Sequence, residues 1–302
     1  MRLIFAGTPA IAAQALKHLH RFHEVTLVIT REDAPVGRKK VLTPSPVAQV
    51  AGELGVPVLK TSKVAEVLED ISGADAELAI VVAYGALIPK AALGLLPWWN
   101  IHYSLLPAWR GATPLQHSMI HDTGAGISIF QLEQGLDTGP VLAAKPMEFL
   151  PQETASEALI RFTADASDLL IQTLATKPEA KIQEGEVSLA PKITRAQARV
   201  DFTMTADQIT RWINALNPEP TAWVELAGNP VKLLRAKSLG GVDWRAIDAN
   251  GEPGALWLEE QRVLLGCGNG TRLELMELQP AGKTAMTALD FMRGQNGVVK
   301  FD

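Results

Sequence analysis

Cysteine is nearly absent from this chain: a single residue, Cys267, stands among 302. One thiol can form neither an internal disulfide nor a Cys-rich metal site. Its surroundings, "LGCGNG", read as a strand entering a turn, so Cys267 is expected to be a small core residue. Long apolar runs are missing too, and none approaches the roughly 20 residues that a membrane-crossing helix needs. The first residues lack the charged, apolar, small-residue order of a secretion signal, so a cytoplasmic location is expected. Nor is there a cationic excess: 28 Lys plus Arg face 33 Asp plus Glu, a formal charge of −5. That balance excludes a broad, non-specific nucleic-acid binder but leaves room for a local basic patch, for which Arg38, Lys39 and Lys40 are the candidate.

Several familiar site motifs are also lacking. The turn after the first strand holds Gly7 without the further glycines of a dinucleotide fingerprint. Ser104 has no G-x-S-x-G elbow, so a serine nucleophile is not supported. His18, His20 and His23 have no Cys or carboxylate arrangement suited to zinc and read as a solvated helix end.

What is present suits a two-domain globular protein, since single cores stop growing at about 300 residues. "RLIFAG" is an apolar run ended by Gly7, and "TPAIAAQALKHLHRF" supplies Thr8 as N-cap and Pro9 at the first helical position. "VTLVIT", "VPVL" and "ELAIVVAYG" are further strands, alternating with the helical "SPVAQVAGELG" and "SKVAEVLEDI". This alternation predicts an α/β fold: a Rossmann-like, mostly parallel sheet with helices on both faces. Residues 153–176 form a long amphipathic helix that closes a first domain, 1–180. Residues 181–203 read as a linker. Residues 204–302 carry one helix and then short strand-like runs, the texture of a smaller β-barrel domain.

Open sheets of this kind bind ligands beyond the carboxyl ends of their strands, which directs attention to "AGTP", "VVAYGALIP" and "NIHYSLLP". In the last of these, Asn100 and His102 stand two apart, so an extended strand points both side chains to one face. An amide donor beside a protonated imidazole suits the oxyanion of an acyl-transfer intermediate. Asn100 capping a turn and His102 as a structural histidine is the alternative. Asp137, in the Gly-rich "QGLDTGP", is a candidate to charge and orient His102 or else a turn residue. Spacing alone cannot bring them together.

The combination "NIHYSLLPAWRGATPLQ" with "GLDTG" resembles the formyltransferases that use 10-formyltetrahydrofolate. The loop "DAPVGRKKVLTPSPV", the segment "VVAYGALIPK" and the tail motifs "APKITRAQARVDF", "LNPEPTAWVEL" and "LQPAGKTAM" are similar to the branch acting on methionyl-tRNA. The resemblance implies a catalytic group of Asn100, His102 and Asp137, with Ser104, Leu105, Leu106 and Pro107 lining the folate site. It implies 10-formyltetrahydrofolate as formyl donor, no metal, and methionyl-initiator-tRNA as acceptor, giving N-formylmethionyl-tRNA for translation initiation. It further implies that Arg38, Lys39 and Lys40 contact the tRNA, that the carboxyl-terminal domain is OB-like and tRNA-contacting, and that the protein is a monomer. Lys283, Arg235 and Lys237 are candidates for that second contact. Tyr103 and Ala108 stand where the family usually has a small and a basic residue. The core motif is shared with enzymes that formylate amino-sugar nucleotides, and a non-catalytic folate or tRNA binder is a third reading.

Overall fold

The computed structural model describes residues 1–37, 39–239, 252–295 and 299–302. The chain forms two compact units: Met1–Pro114, Gly124–Glu148 and Leu159–Pro191 make the first, and Leu115–Thr123, Phe149–Ala158 and Lys192–Asp302 the second.

In the chain order of the first unit, the strands are β1 (Arg2–Gly7), β2 (Glu24–Thr30), β3 (Ala34–Val36), β4 (Val41–Thr43), β5 (Val58–Lys60), β6 (Leu78–Val82), β7 (Trp98–His102), β8 (Arg110–Gly111), β9 (Gly126–Gln131), β10 (Val141–Pro146) and β11 (Leu189–Ala190). The helices are α1 (Ala10–Leu19), α2 (Pro46–Glu53), α3 (Leu68–Gly73), α4 (Lys90–Leu93), α5 (Pro114–His121, which passes into the second unit) and α6 (Ala155–Thr176, which enters from it). The main sheet runs β10-β9-β7-β6-β1-β2-β5. Neighbours from β7 to β5 are parallel, whereas β9 and β10 turn antiparallel. The expected mostly parallel sheet is therefore present.

Apolar content without alternation explains why β1 sits centrally. Leu3, Ile4, Phe5 and Ala6 are all fully buried, so both faces are covered. Ile4 and Ala6 pack with Leu27, Ile29, Ile71 and Ala92 on one face. On α6, Phe162, Ala166, Leu170 and Leu174 recur every four residues and are buried, the stripe of an amphipathic helix. Thr8 does not cap α1: Pro9 is the cap residue, and the Thr8 hydroxyl instead donates to the Tyr84 carbonyl at 2.8 Å. The helix begins at Ala10, one residue later than the local pattern suggests, so the cap position falls on Pro9. "SKVAEVLEDI" is also not one helix, because Val67 at φ −123° separates a short turn, Val64–Glu66, from α3.

The second unit contains α7 (Ala206–Ala215), β12 (Trp223–Leu226), β13 (Asn229–Ser238), β14 (Ala255–Glu259), β15 (Arg262–Gly266), β16 (Arg272–Pro280), β17 (Met286–Thr287), α8 (Ala288–Arg293) and β18 (Val299–Lys300). Its strands run β12-β13-β16-β15-β14-β18, with β17 on β16, and form a nearly closed antiparallel barrel. A Thr205–Gln208 capping box starts α7, whose Ala206, Ile209 and Ile213 enter the core. Cys267 is buried there, and burial pushes its thiol up to about 12, as suits a core residue rather than a nucleophile. Among the described residues no helix is long and apolar enough to cross a membrane.

Candidate active site

The order of strands reverses around β1, with β2 on one side and β6 then β7 on the other, and β7 ends in His102. Strand alternation turns Asn100 and His102 to one face. Tyr103 belongs to the other face, where it is buried and its hydroxyl donates to Thr163 Oγ1 on α6 at 2.8 Å. Thr163 in turn donates to the Leu159 carbonyl. The Tyr103 departure therefore lies behind the strand, on the face opposite Asn100 and His102.

Beyond β7 the chain is held tightly. Ser104 Oγ donates to the Ala108 carbonyl at 2.6 Å, and Ser128 Oγ both donates to the Ser104 carbonyl and accepts from Leu106 N. Ser104 and Pro107 are buried, while Leu105 and Leu106 are partly open. Of the four expected folate-site residues, it is these leucines that retain accessible side-chain surface.

The turn delivers Trp109 with φ 61°, in the left-handed region that ordinary side chains rarely adopt. Its carbonyl lies 2.9 Å from His102 Nε2. Asp137 is left-handed as well, at φ 51°, and its Oδ2 accepts from Gly111 N at 2.7 Å. The same oxygen is 3.8 Å from His102 Nδ1. His102 and Asp137 are 35 positions apart, and β9 folds the chain between them back so that the two side chains face each other. Gly111 has to be glycine for this: at φ 133° an added Cβ would sit 2.6 Å from the Ala190 carbonyl.

His102 is flanked by two acceptors. A carbonyl can only accept, so the proton of a neutral ring resides on Nε2, and the Nδ1 lone pair faces the Asp137 carboxylate. At 3.8 Å this is electrostatic contact, too long for a hydrogen bond. Burial lowers the imidazole pKa and is the largest influence, while Asp137 and the Trp109 carbonyl pull it up. Desolvation thus favours the neutral form of the resting ring. The ring is so thoroughly desolvated that one nearby carboxylate does not compensate. Nδ1 is thus poised to receive a proton, and Asp137 would stabilise the ion formed.

Asn100 is partly exposed, and among the described residues its amide has no hydrogen-bond partner. It remains available as a donor at the same strand end. Among the described residues no group of three His, Cys, Asp or Glu could hold a metal ion.

The basic loop is a small hairpin, β3 with β4, closed through Gly37 at φ 72°. Lys39 and Lys40 are exposed, as are Val36, Val41 and Leu42; Arg38 lies outside the described residues. In the second unit Lys237 and Lys283 are exposed, but Arg235 is engaged by Glu157 at 2.7 Å and the Gln152 carbonyl at 3.0 Å. His18 is likewise paired, with Asp168 at 3.1 Å, rather than a freely solvated helix end. Sequence reasoning missed the Trp109 carbonyl and Gly111 amide because backbone groups carry no residue-type signal; their sole trace was the adjacent "AWRG".

The description Formyl transferase matches residues 1–174, and Formyl transferase, C-terminal domain, matches 192–296. A methionyl-tRNA formyltransferase of an Arthrobacter species is 45% identical, covering 98% of this chain and 97% of its own. That of Renibacterium salmoninarum is 44% identical, covering 97% and 96%. The solved structure of methionyl-tRNA formyltransferase from Clostridium thermocellum superposes with a TM-score of 0.61 at 19% identity, covering 80% of this chain and 95% of that one. With both domain matches and near full-length identity of this order, the chain belongs to the formyl transferase family, in its methionyl-tRNA formyltransferase branch.

Proposed function

We propose that this protein transfers the formyl group of 10-formyltetrahydrofolate to the α-amino group of methionyl-initiator-tRNA, giving N-formylmethionyl-tRNA for translation initiation. The observation that carries this reading is the buried His102–Asp137 pair at the carboxyl edge of the sheet, with the Asn100 amide, unpartnered among the described residues, on the same strand face.

The neutral amine attacks the formyl carbon, and the carbonyl electrons move onto oxygen. Asn100 Nδ2–H donates to that oxyanion, an interaction strongest where charge develops. The attacking nitrogen then releases a proton to His102 Nδ1, and the imidazolium lies between the Trp109 carbonyl and the Asp137 carboxylate. As the bond from carbon to the folate nitrogen breaks, the same proton passes to that nitrogen. The pair is thereby restored, and no net proton is taken from solvent.

Leu105 and Leu106 offer apolar surface to the donor, with Ser104 and Pro107 shaping the turn. Arg38, Lys39 and Lys40 would engage the tRNA, arginine through its planar fork. The exposed apolar tips Val36, Val41 and Leu42 support an interaction role for the hairpin. Lys237 and Lys283 are exposed cations of the second unit that would join this contact, and the protein acts as a cytoplasmic monomer. Purified protein with 10-formyltetrahydrofolate should formylate methionyl-initiator-tRNA and spare methionyl-elongator-tRNA. Transfer to an amino-sugar nucleotide with none to tRNA would establish the other reading instead.

A further inference from the structure

The segment 181–191 has an inverted surface pattern. Its apolar Ile182, Val187 and Leu189 are 84%, 50% and 61% exposed, whereas the polar Gln183 and Ser188 are turned inward. Burial of apolar surface does not account for a segment laid down in this way; hydrogen bonding does.

Gln183 uses its whole amide. Its Nε2 donates to the Asp137 carbonyl at 2.8 Å and the Gly139 carbonyl at 2.7 Å. Its Oε1 accepts from Arg110 Nε at 3.1 Å and Nη2 at 2.7 Å. These contacts also settle which way the amide points, because a flip would set oxygen against two carbonyls and NH₂ against a guanidinium. Arg110 stands between Trp109, whose carbonyl meets His102, and Gly111, whose amide meets Asp137. At the far end, Ser188 Oγ accepts from Trp109 N and the Ser188 carbonyl accepts from Arg110 N, both at 2.9 Å. Lys181 and Val141 exchange backbone hydrogen bonds at 2.8 Å. The segment therefore ties together the two loops that present Asp137 and the Trp109 carbonyl.

We infer that Gln183 is a positioning residue for the formyl-transfer reaction, holding the Asp137 turn so that its carboxylate faces His102. The inference rests on the reading that Asp137 and His102 carry the chemistry. Asp137 occupies a left-handed conformation, which persists only where the surroundings over-determine it. The Gln183 amide supplies that constraint from outside the turn, and a displacement of the order of 1 Å at such a centre costs roughly 100-fold in rate.

Two substitutions separate its arms. Gln183→Glu keeps the acceptor for Arg110 but removes both donors to the Asp137 turn; Gln183→Ala removes everything. Both are expected to lower kcat for formyl transfer by about 10- to 100-fold, with KM for either substrate nearly unchanged and near-UV circular dichroism retained. The decisive readout is a double-mutant cycle with Asp137→Asn. If Gln183 acts through the carboxylate, Gln183→Ala adds little in that background. Multiplied losses, or wild-type kcat in Gln183→Glu, would overturn the positioning role while leaving Asp137 in the machinery. Full activity of Asp137→Asn itself would instead remove the underlying reading and this inference with it.

Discussion

Replacing Asp137 by Asn tests the proton-holding role of the pair most directly, because the amide oxygen can still accept from Gly111 N and so preserve the turn. What disappears is the negative charge 3.8 Å from His102 Nδ1. At an effective permittivity of about 20, unit charges at this separation attract by about 4 kcal/mol. The side chains are only 5% and 12% exposed, so solvent screens little of this. The attraction exists only once His102 is protonated, and it therefore stabilises the intermediate without stabilising the resting site. Each 1.36 kcal/mol is a factor of ten in rate, so up to about three decades are at stake. With the amide dipole retaining part of the interaction, kcat is expected to fall about 100- to 1,000-fold. The assay is single-turnover transfer to methionyl-tRNA under saturating donor and acceptor, with circular dichroism and donor binding as controls. A folded Asp137→Asn protein within about five-fold of the original rate would refute the assignment, since the Coulomb argument leaves no room for so small an effect.

Histidine NMR should show His102 titrating below the ordinary imidazole range, and lower again in Asp137→Asn, which removes an upward influence; titration above that range would contradict the neutral resting ring. Tyr103→Phe should cost about 1 kcal/mol in denaturant unfolding for one lost buried hydrogen bond, yet leave kcat and both KM values unchanged because the hydroxyl meets α6 behind the strand. Gly126→Ala would set a Cβ 2.5 Å from Leu105 Cγ and Cδ2, and the displaced leucine should raise the KM for the folate donor; an unchanged KM would remove Leu105 from that site. Glu157 is held down to about 2, chiefly by its hydrogen bond from Arg235. With the folded pKa depressed, its stabilisation is present above the ordinary 4.5 and is lost as pH falls through about 2. The carboxylate is 47% exposed, so Glu157→Gln should cost only about 1 kcal/mol or less at pH 7, a difference that urea unfolding should find fading over that acid window.

Local physics made much of the fold legible. Uninterrupted β-branched and apolar runs marked buried strands, and the two-residue spacing of Asn100 and His102 placed them on one face of β7 before any contact was known. The Asn-His-SLLP pattern also carried the family. Thr8 shows where local rules stop: its residue type suits a cap, but the helix starts one residue later and the hydroxyl meets the Tyr84 carbonyl. Gln183 shows a different limit, since nothing periodic in a polar segment distinguishes an inward amide from its solvated neighbours.

By itself, then, the amino-acid sequence determined the alternation of strands and helices, the pairing of Asn100 with His102 on one face, and the chemistry those residue types can perform. All of these depend on neighbours along the chain, where covalent geometry sets direction. Tertiary structure alone decided that Asp137 meets His102, that the Trp109 carbonyl selects the protonated nitrogen, that Tyr103 faces away, and that burial pulls the imidazole pKa down. These depend on distance and solvent exclusion between segments far apart in sequence, and both exist only after the chain has folded back on itself.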